Sequence, residues 1–239
     1  MFPVSTPSAK VGESGPVKGY KAAFVEFMVR SGVLNFGEFV TKSGRKTPFF
    51  INTGRFDTGA RLARLGQFYA QALHERLGDG FDFLYGPAYK GIPLVTATAI
   101  ALSWPIGREV PFAFNRKEAK NHGEGGLIVG HQPRDGERVV IVEDVATSGA
   151  SVRESAELLT GIADVRLAGL IVSVDRQERG RAEQSALAEL GADLNIDAFP
   201  IVTLDEIVQC LRERPIDGQL ILNDPLLERI EAYRAKYGA

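Results

Sequence analysis

One cysteine, Cys210, is all that the 239-residue sequence holds, so no internal disulfide framework can form and the lone thiol fits a reducing compartment. No charge excess exists either: 28 Lys and Arg stand against 30 Asp and Glu, a net charge of -2, so any positive site must be local. This speaks against nucleic acid or an anionic membrane as a partner. The most apolar stretch, GIPLVTATAIALSWPIG, is interrupted by hydroxyl residues and prolines and falls short of the ~20 apolar residues that span a bilayer. It reads as a buried core helix. The start, MFPVSTPSAKVGESGPVKG, has no apolar run behind a basic beginning, so residues 1–17 are expected to be a flexible arm rather than a signal peptide. His74, His122 and His131 are scattered without HExxH spacing, and no metal-ligand cluster is expected. Neither GxxxxGK[ST] nor a GxGxxG behind a strand occurs, which leaves the P-loop and dinucleotide readings without their residues.

What is present is an ordinary globular composition, 44% hydrophobic and 24% charged. Ala22, Ala23, Phe24, Phe27 and Met28 recur at helical spacing and predict a helix over 18–30, stopped at Gly32. GEFVTKSGRKTPFFINTG predicts a hairpin about Lys42, Ser43 and Gly44. From residue 57 the chain alternates. Helices are expected over 58–77, 91–104, 151–162, 182–190, 204–212 and 225–237, and strands over 81–85, 111–115, 138–142, 166–174 and 198–202. The expectation is one α/β domain over 18–239: a small hood of helix and hairpin over 18–56 and a core over 57–239, with a mostly parallel sheet flanked by helices. Ligands of such sheets sit at the carboxyl ends of the strands.

One such end is RVVIVEDVATSGAS. Its small residues free the backbone N–H groups of residues 146–151 to cradle a phosphate at a helix start, with Thr147, Ser148 and Ser151 adding hydroxyls. Glu143 and Asp144 are expected to face outward there, accepting from sugar hydroxyls or helping to hold a divalent cation; capping of the next turn is the plainer alternative. A second stretch, NRKEAKNHGEGG, gathers cations ahead of a glycine run that can hardly hold a shape. Alone it is a solvated basic loop.

Five segments in order, FGEFVTKSGRKTPFFINTG, FDFLYGPAYKGIPL, FNRKEAKNHGEGG, VVIVEDVATSGAS and VSVDRQERGR, resemble those of the type I phosphoribosyltransferases and, among them, the orotate phosphoribosyltransferase family. The resemblance runs from about residue 18 to the C-terminus. It implies the type I phosphoribosyltransferase fold and displacement of pyrophosphate from 5-phosphoribosyl diphosphate (PRPP) by N1 of orotate, a step of pyrimidine synthesis. It implies PRPP binding by Lys42, Tyr89, Lys90, Arg116, Lys117, Lys120, His122, Glu143 and Asp144, and by the loop Val145, Ala146, Thr147, Ser148, Gly149, Ala150 and Ser151. Lys120, Glu143 and Asp144 would be catalytic, Lys120 on a mobile lid that closes over pyrophosphate. Orotate would meet Phe50, Ile51, Thr147 and Arg176, the last taking its carboxylate; an Asp175–Arg176 surface pair is the plain reading of that arginine.

Also implied are Mg²⁺ carried on PRPP without dedicated metal ligands, a homodimer whose lids reach the neighbouring site, and a cytoplasmic enzyme with no nucleic-acid or membrane partner. A fused decarboxylase, present in some relatives, is not expected in this length. Ala146 and Ala150 depart from the family's phosphate loop, and Ile51 stands where an aromatic is frequent. A phosphoribosyltransferase for another base and a PRPP-sensing transcription regulator share the phosphate loop; the RKEAKNHGEGG and DRQERG segments favour the orotate reading.

Overall fold

The strand RVVIV has no polar face because it has two buried ones. Val140 and Val142 enter one layer of core, Val139 and Ile141 the other. The computed structural model describes residues 17, 19–41, 44–104, 106–120, 126–145, 149–212 and 214–239, with 119 and 120 described in backbone only.

Helix α1 (Gly19–Arg30) buries Phe24, Val25 and Met28. Strands β1 (Leu34–Val40) and β2 (Lys46–Ile51) pair antiparallel as a separate small sheet, followed by a 3-10 turn at Thr53–Arg55. Helix α2 (Gly59–Leu77) starts at Thr58, whose Oγ1 accepts from Arg61 N, and leads through β3 (Phe83–Gly86) to α3 (Gly91–Ser103). Then come β4 (Phe112–Lys120), β5 (Gly126–Gly130), β6 (Arg138–Val142), α4 (Ala150–Ile162), β7 (Arg166–Asp175) and α5 (Ala186–Leu194). Strand β8 (Asp197–Thr203), α6 (Leu204–Leu211) and α7 (Asp224–Tyr237) complete the chain.

The main sheet runs β5-β4-β3-β6-β7-β8 and is parallel except for the β4/β5 pair. Helices α4 and α5 cover the face that carries Phe83, Ile141 and Val172, through Val152, Leu159, Leu187 and Leu190. The opposite face, with Leu84, Val140 and Ile171, is covered by α1, α2, α3 and α6. Among the described residues no helix is long and apolar enough to cross a membrane.

Three differences from the expected elements have physical reasons. Strand β4 does not stop at 115 but runs to Lys120, pairing Asn115 with Ile128 and Lys120 with Gly126. The basic segment is therefore the stem of a β-ribbon, held by backbone pairing rather than by an apolar pattern. Helix α5 begins four residues later than expected, at the cap Ser185, whose Oγ accepts from Ala188 N. The residues before it are held instead by Glu189, whose carboxylate accepts from Arg181 N and Ala182 N. Helix α3 buries Leu94, Val95, Thr98 and Leu102 as a core helix should, but Ile100 and the flanking Trp104 stand exposed.

Candidate active site

Strands β3, β6 and β7 end side by side, and the loops leaving them carry most of the described candidate residues. Glu143 continues the register of β6, its N–H donating to Ile171 O at 3.0 Å. That extra step turns its side chain inward, where it is only 8% exposed. The expected outward carboxylate is thus corrected: Glu143 Oε1 accepts from Asp144 N and Oε2 from Ser151 Oγ, each at 3.0 Å. Tyr69 Oη donates to the Glu143 carbonyl at 2.7 Å and fixes the backbone. Burial pushes the Glu143 carboxyl up to about 7 against the Asp144 N–H bond that favours its charge, and the Asp144 charge adds to the rise.

Asp144 keeps an aqueous edge. Its Oδ2 accepts from Lys90 Nζ at 2.6 Å and from Thr53 Oγ1 at 2.8 Å, and its Oδ1 from Val145 N at 2.8 Å. Burial alone would raise this carboxyl, but the Lys90 and Thr53 hydrogen bonds, the Lys90 charge and the Val145 N–H together hold it below the ordinary range. A cavity of about 180 Å³ opens beside them, lined in part by Thr53, Tyr69, Lys90, Asp144 and Ser173. Gly149, at φ +71°, admits the chain to α4 at a point where a Cβ would lie 2.4 Å from a Leu190 methyl. Ala150 and Ser151 follow as the first turn of α4, whose N-terminus faces this loop.

The loop after β3 brings Tyr89 and Lys90 to the same end. Ala88 N donates to Asn115 Oδ1 at 2.8 Å, tying this loop to β4, and Lys117 Nζ lies 5.5 Å from the centroid of the exposed Tyr89 ring. Arg116 Nη1 lies 3.4 Å from Gly126 O across the ribbon. Lys120 is placed by its backbone alone, on β4. Lys42, His122, Ala146, Thr147 and Ser148 lie outside the described residues.

Arg176 follows β7 and does not pair with Asp175, whose carboxylate instead accepts from Gln177 N and Ser185 Oγ. Its Nε and Nη2 donate to Glu178 Oε1 at 2.8 and 2.6 Å, and its guanidinium lies 4.4 Å from the centroid of the Phe49 ring. Phe50, the neighbour on the other face of β2, is exposed and stacks on Phe39 with centroids 5.5 Å apart. Ile51 packs toward the small cluster of Phe49, Leu204 and Tyr233 rather than standing open. Thr53, Asn115 and Glu178 are the residues that motif reasoning did not single out. Each lies inside or beside a quoted segment, but a threonine after a hairpin, an amide mid-strand and an acid in a loop carry no signal until their partners are known.

A model of the phosphoribosyl transferase domain matches residues 53–199. The orotate phosphoribosyltransferase of Clostridium beijerinckii is 49% identical over 223 residues, covering 93% of this chain and 100% of that protein. The orotate phosphoribosyltransferase of Thioalkalivibrio sulfidiphilus is likewise 49% identical over 222 residues, with 93% and 100% covered. The crystal structure of orotate phosphoribosyltransferase from Francisella tularensis superposes with a TM-score of 0.78 at 36% identity, over 91% of this chain and 100% of that one. With the domain model spanning more than half of the chain and these relatives matched end to end, this protein belongs to the orotate phosphoribosyltransferase family.

Proposed function

We infer that this protein transfers the 5-phosphoribosyl group of PRPP to N1 of orotate, giving orotidine 5′-monophosphate and pyrophosphate. The observation that carries the reading is the convergence of Lys90, Thr53 and Asp144 beside the start of α4. It supports a reading in which Lys90 meets a leaving diphosphate, Asp144 a ribose diol and the helix N-terminus a phosphate, all at one sheet end. In the transition state positive charge grows on the ribose ring and negative charge on the departing pyrophosphate. Asp144 holds the hydroxyls and faces the cationic ring, while the inward Glu143 fixes the Asp144 backbone and Ser151 behind it; Tyr89 and Lys90, with Lys42, Arg116, Lys117, Lys120 and His122, stabilise the pyrophosphate. Lys120 on the ribbon is the cation we assign to the chemical step. The start of α4, with residues 145–151, takes the 5-phosphate, and Arg176 takes the orotate carboxylate with Phe50 against the ring.

Mg²⁺ fits as an ion delivered with its oxygen ligands. Among the described residues no three of His, Cys, Asp or Glu gather to hold a metal, whereas the aqueous edge of Asp144 would support one that PRPP already chelates. When bound, it would offset charge on the pyrophosphate.

We also propose a homodimer that works in the cytoplasm. An apolar cavity of about 560 Å³ between α2 and α3, lined by Leu62, Ala63, Ile92, Pro93, Ile100 and Trp104, is the face assigned to the second copy. Trp104 is 88% exposed in the single chain. Leu62 and Pro93 also wall the cavity beside Asp144, so the second copy would rest against the active site.

Release of pyrophosphate from PRPP, with orotate, uracil, adenine and hypoxanthine supplied separately and with or without Mg²⁺, tests the assignment. Release with orotate alone is expected. Release with another base would remove the role of Arg176, and no release with any base would favour a PRPP sensor.

A further inference from the structure

The guanidinium assigned to the orotate carboxylate is already engaged by a carboxylate of the protein, and a neutral pair is a poor receptor for an anion. Arg176 spends Nε and one N–H of Nη2 on Glu178 Oε1, at 2.8 and 2.6 Å, and its side chain is 16% exposed. The Phe49 ring centroid lies 4.4 Å from the guanidinium carbon. What remains is the far edge of the fork, Nη1 with the other N–H of Nη2, which among the described residues meets Thr47 Oγ1 at 3.5 Å. One edge is fixed and the other is presented.

Glu178 is itself held by groups from distant parts of the chain. Tyr233 Oη, on α7, donates to Oε1 at 2.7 Å, and Arg45 Nη1, just before β2, donates to Oε2 at 3.1 Å. Arg45 also lies 4.5 Å over the ring of Tyr237, one turn along α7 from Tyr233, and Tyr233 meets Phe49 edge-on at 5.8 Å. The turn that folds Glu178 back onto Arg176 has Gln177 at φ +52°. It is pinned by Gln177 Nε2 donating to Asp205 Oδ2 and by Asp205 N donating to Gln177 Oε1.

We propose that Glu178, Tyr233 and Arg45 are positioning residues for orotate, aiming Arg176 and, through Arg45, leaving one uncancelled positive charge for the substrate carboxylate. Two guanidinium groups share one carboxylate, so Arg176 can be clamped and still attract an anion. Helix α7 thereby becomes part of base recognition through the Tyr233 bond to Glu178. This rests on the reading that Arg176 binds the orotate carboxylate.

The test uses Tyr233→Phe, which keeps the ring packing and deletes the hydroxyl, and Arg45→Met with Arg45→Lys as its conservative partner, each in the full-length protein. KM for orotate is expected to rise about tenfold in Tyr233→Phe and Arg45→Met, the loss of one hydrogen bond to a charged group, with KM for PRPP within about twofold. Arg45→Lys, which restores the charge, should recover most of the loss. Arg176→Lys separates this proposal from its foundation. If Arg176→Lys leaves KM for orotate unchanged, both fall together. If it raises that KM while Tyr233→Phe and Arg45→Met do not, the positioning role alone is overturned. Equal rises in both KM values, with no recovery in Arg45→Lys, would mean a merely structural network and would also overturn it.

Discussion

Lys90 Nζ lies 2.6 Å from Asp144 Oδ2, an ion pair that joins the loop after β3 to the loop after β6. The lysine side chain is 67% exposed while the aspartate is largely buried, so the pair is held from one side and free on the other. Under the proposed function, a ribose diol bound to Asp144 would compete for the same carboxylate, and the displaced ammonium would be free to meet the pyrophosphate. With the lysine in solvent, and with Thr53 Oγ1 and Val145 N still donating to the aspartate, the pair contributes on the order of 1 kcal/mol or less to stability. Lys90→Met should therefore move Tm by no more than about 4 °C while raising KM for PRPP about tenfold or more. Steady-state kinetics beside calorimetry checks this. A large fall in Tm with unchanged PRPP affinity would make the pair a structural strut.

Glu143 gives the protein a pH signature. Its carboxyl is raised from the ordinary 4.5 to about 7, first by burial, so the folded state favours the protonated form. Stability from that form is complete below the unfolded value and is lost as pH rises through about 7. Tm should accordingly decline between about pH 5 and 8, and Glu143→Gln, which cannot ionise, should flatten that decline. Thermal melts across this range decide it: a wild-type slope that persists in Glu143→Gln assigns the loss to another group.

The sequence made these acids visible as a pair but not their opposite fates. The apolar run of β6 ends at Val142, and only the bond from Glu143 N to Ile171 O shows that the strand register continues for one more residue and turns the side chain inward. The core strands were legible because burial on both faces writes a continuous apolar run, as in RVVIV. The β4/β5 ribbon was not, because Arg116, Lys117 and Glu118 carry no apolar period and the order comes from backbone pairing of β4 with β5 rather than from any local pattern. Arg176 was found through its motif, whereas Tyr233 and Arg45, which hold its partner Glu178, lie 55 and 133 positions from that acid, a proximity no local pattern encodes. Thr53 is a similar case, 91 positions from the Asp144 it holds.

The groove between α2 and α3 makes the proposed dimer testable at one residue. Trp104 and Ile100 are large, apolar and exposed, and a charge placed among them should be costly to bury against a second copy. Trp104→Glu is expected to sediment as a monomer with an unchanged circular dichroism spectrum, and to lose most turnover if the lid of one copy serves the other. A dimer that persists in Trp104→Glu moves the interface elsewhere.

The last expectation concerns backbone contact rather than side-chain chemistry. A Cβ on Gly86 would lie 2.2 Å from Gly91 O and 2.8 Å from Val95 Cβ, so the loop from β3 to α3 closes on itself with no room for a methyl. Gly91 N also donates to Pro87 O at 2.9 Å, and the tight closure is what brings Lys90 back over Asp144. Gly66 meets a comparable obstacle, its Cβ lying 2.4 Å from Ala97 O where α2 crosses α3, but at a point remote from Lys90 in the sequence. Both Gly86→Ala and Gly66→Ala should overpack the fold at a cost of about 1–3 kcal/mol, lowering Tm by roughly 2–12 °C. They should part in kinetics. Gly86→Ala shifts the lysine and should raise KM for PRPP at temperatures where the protein is still folded, whereas Gly66→Ala should leave that KM near its original value. Equal kinetic effects in the two variants would mean that global loosening, and not the closure of the 86–91 loop, governs where Lys90 sits.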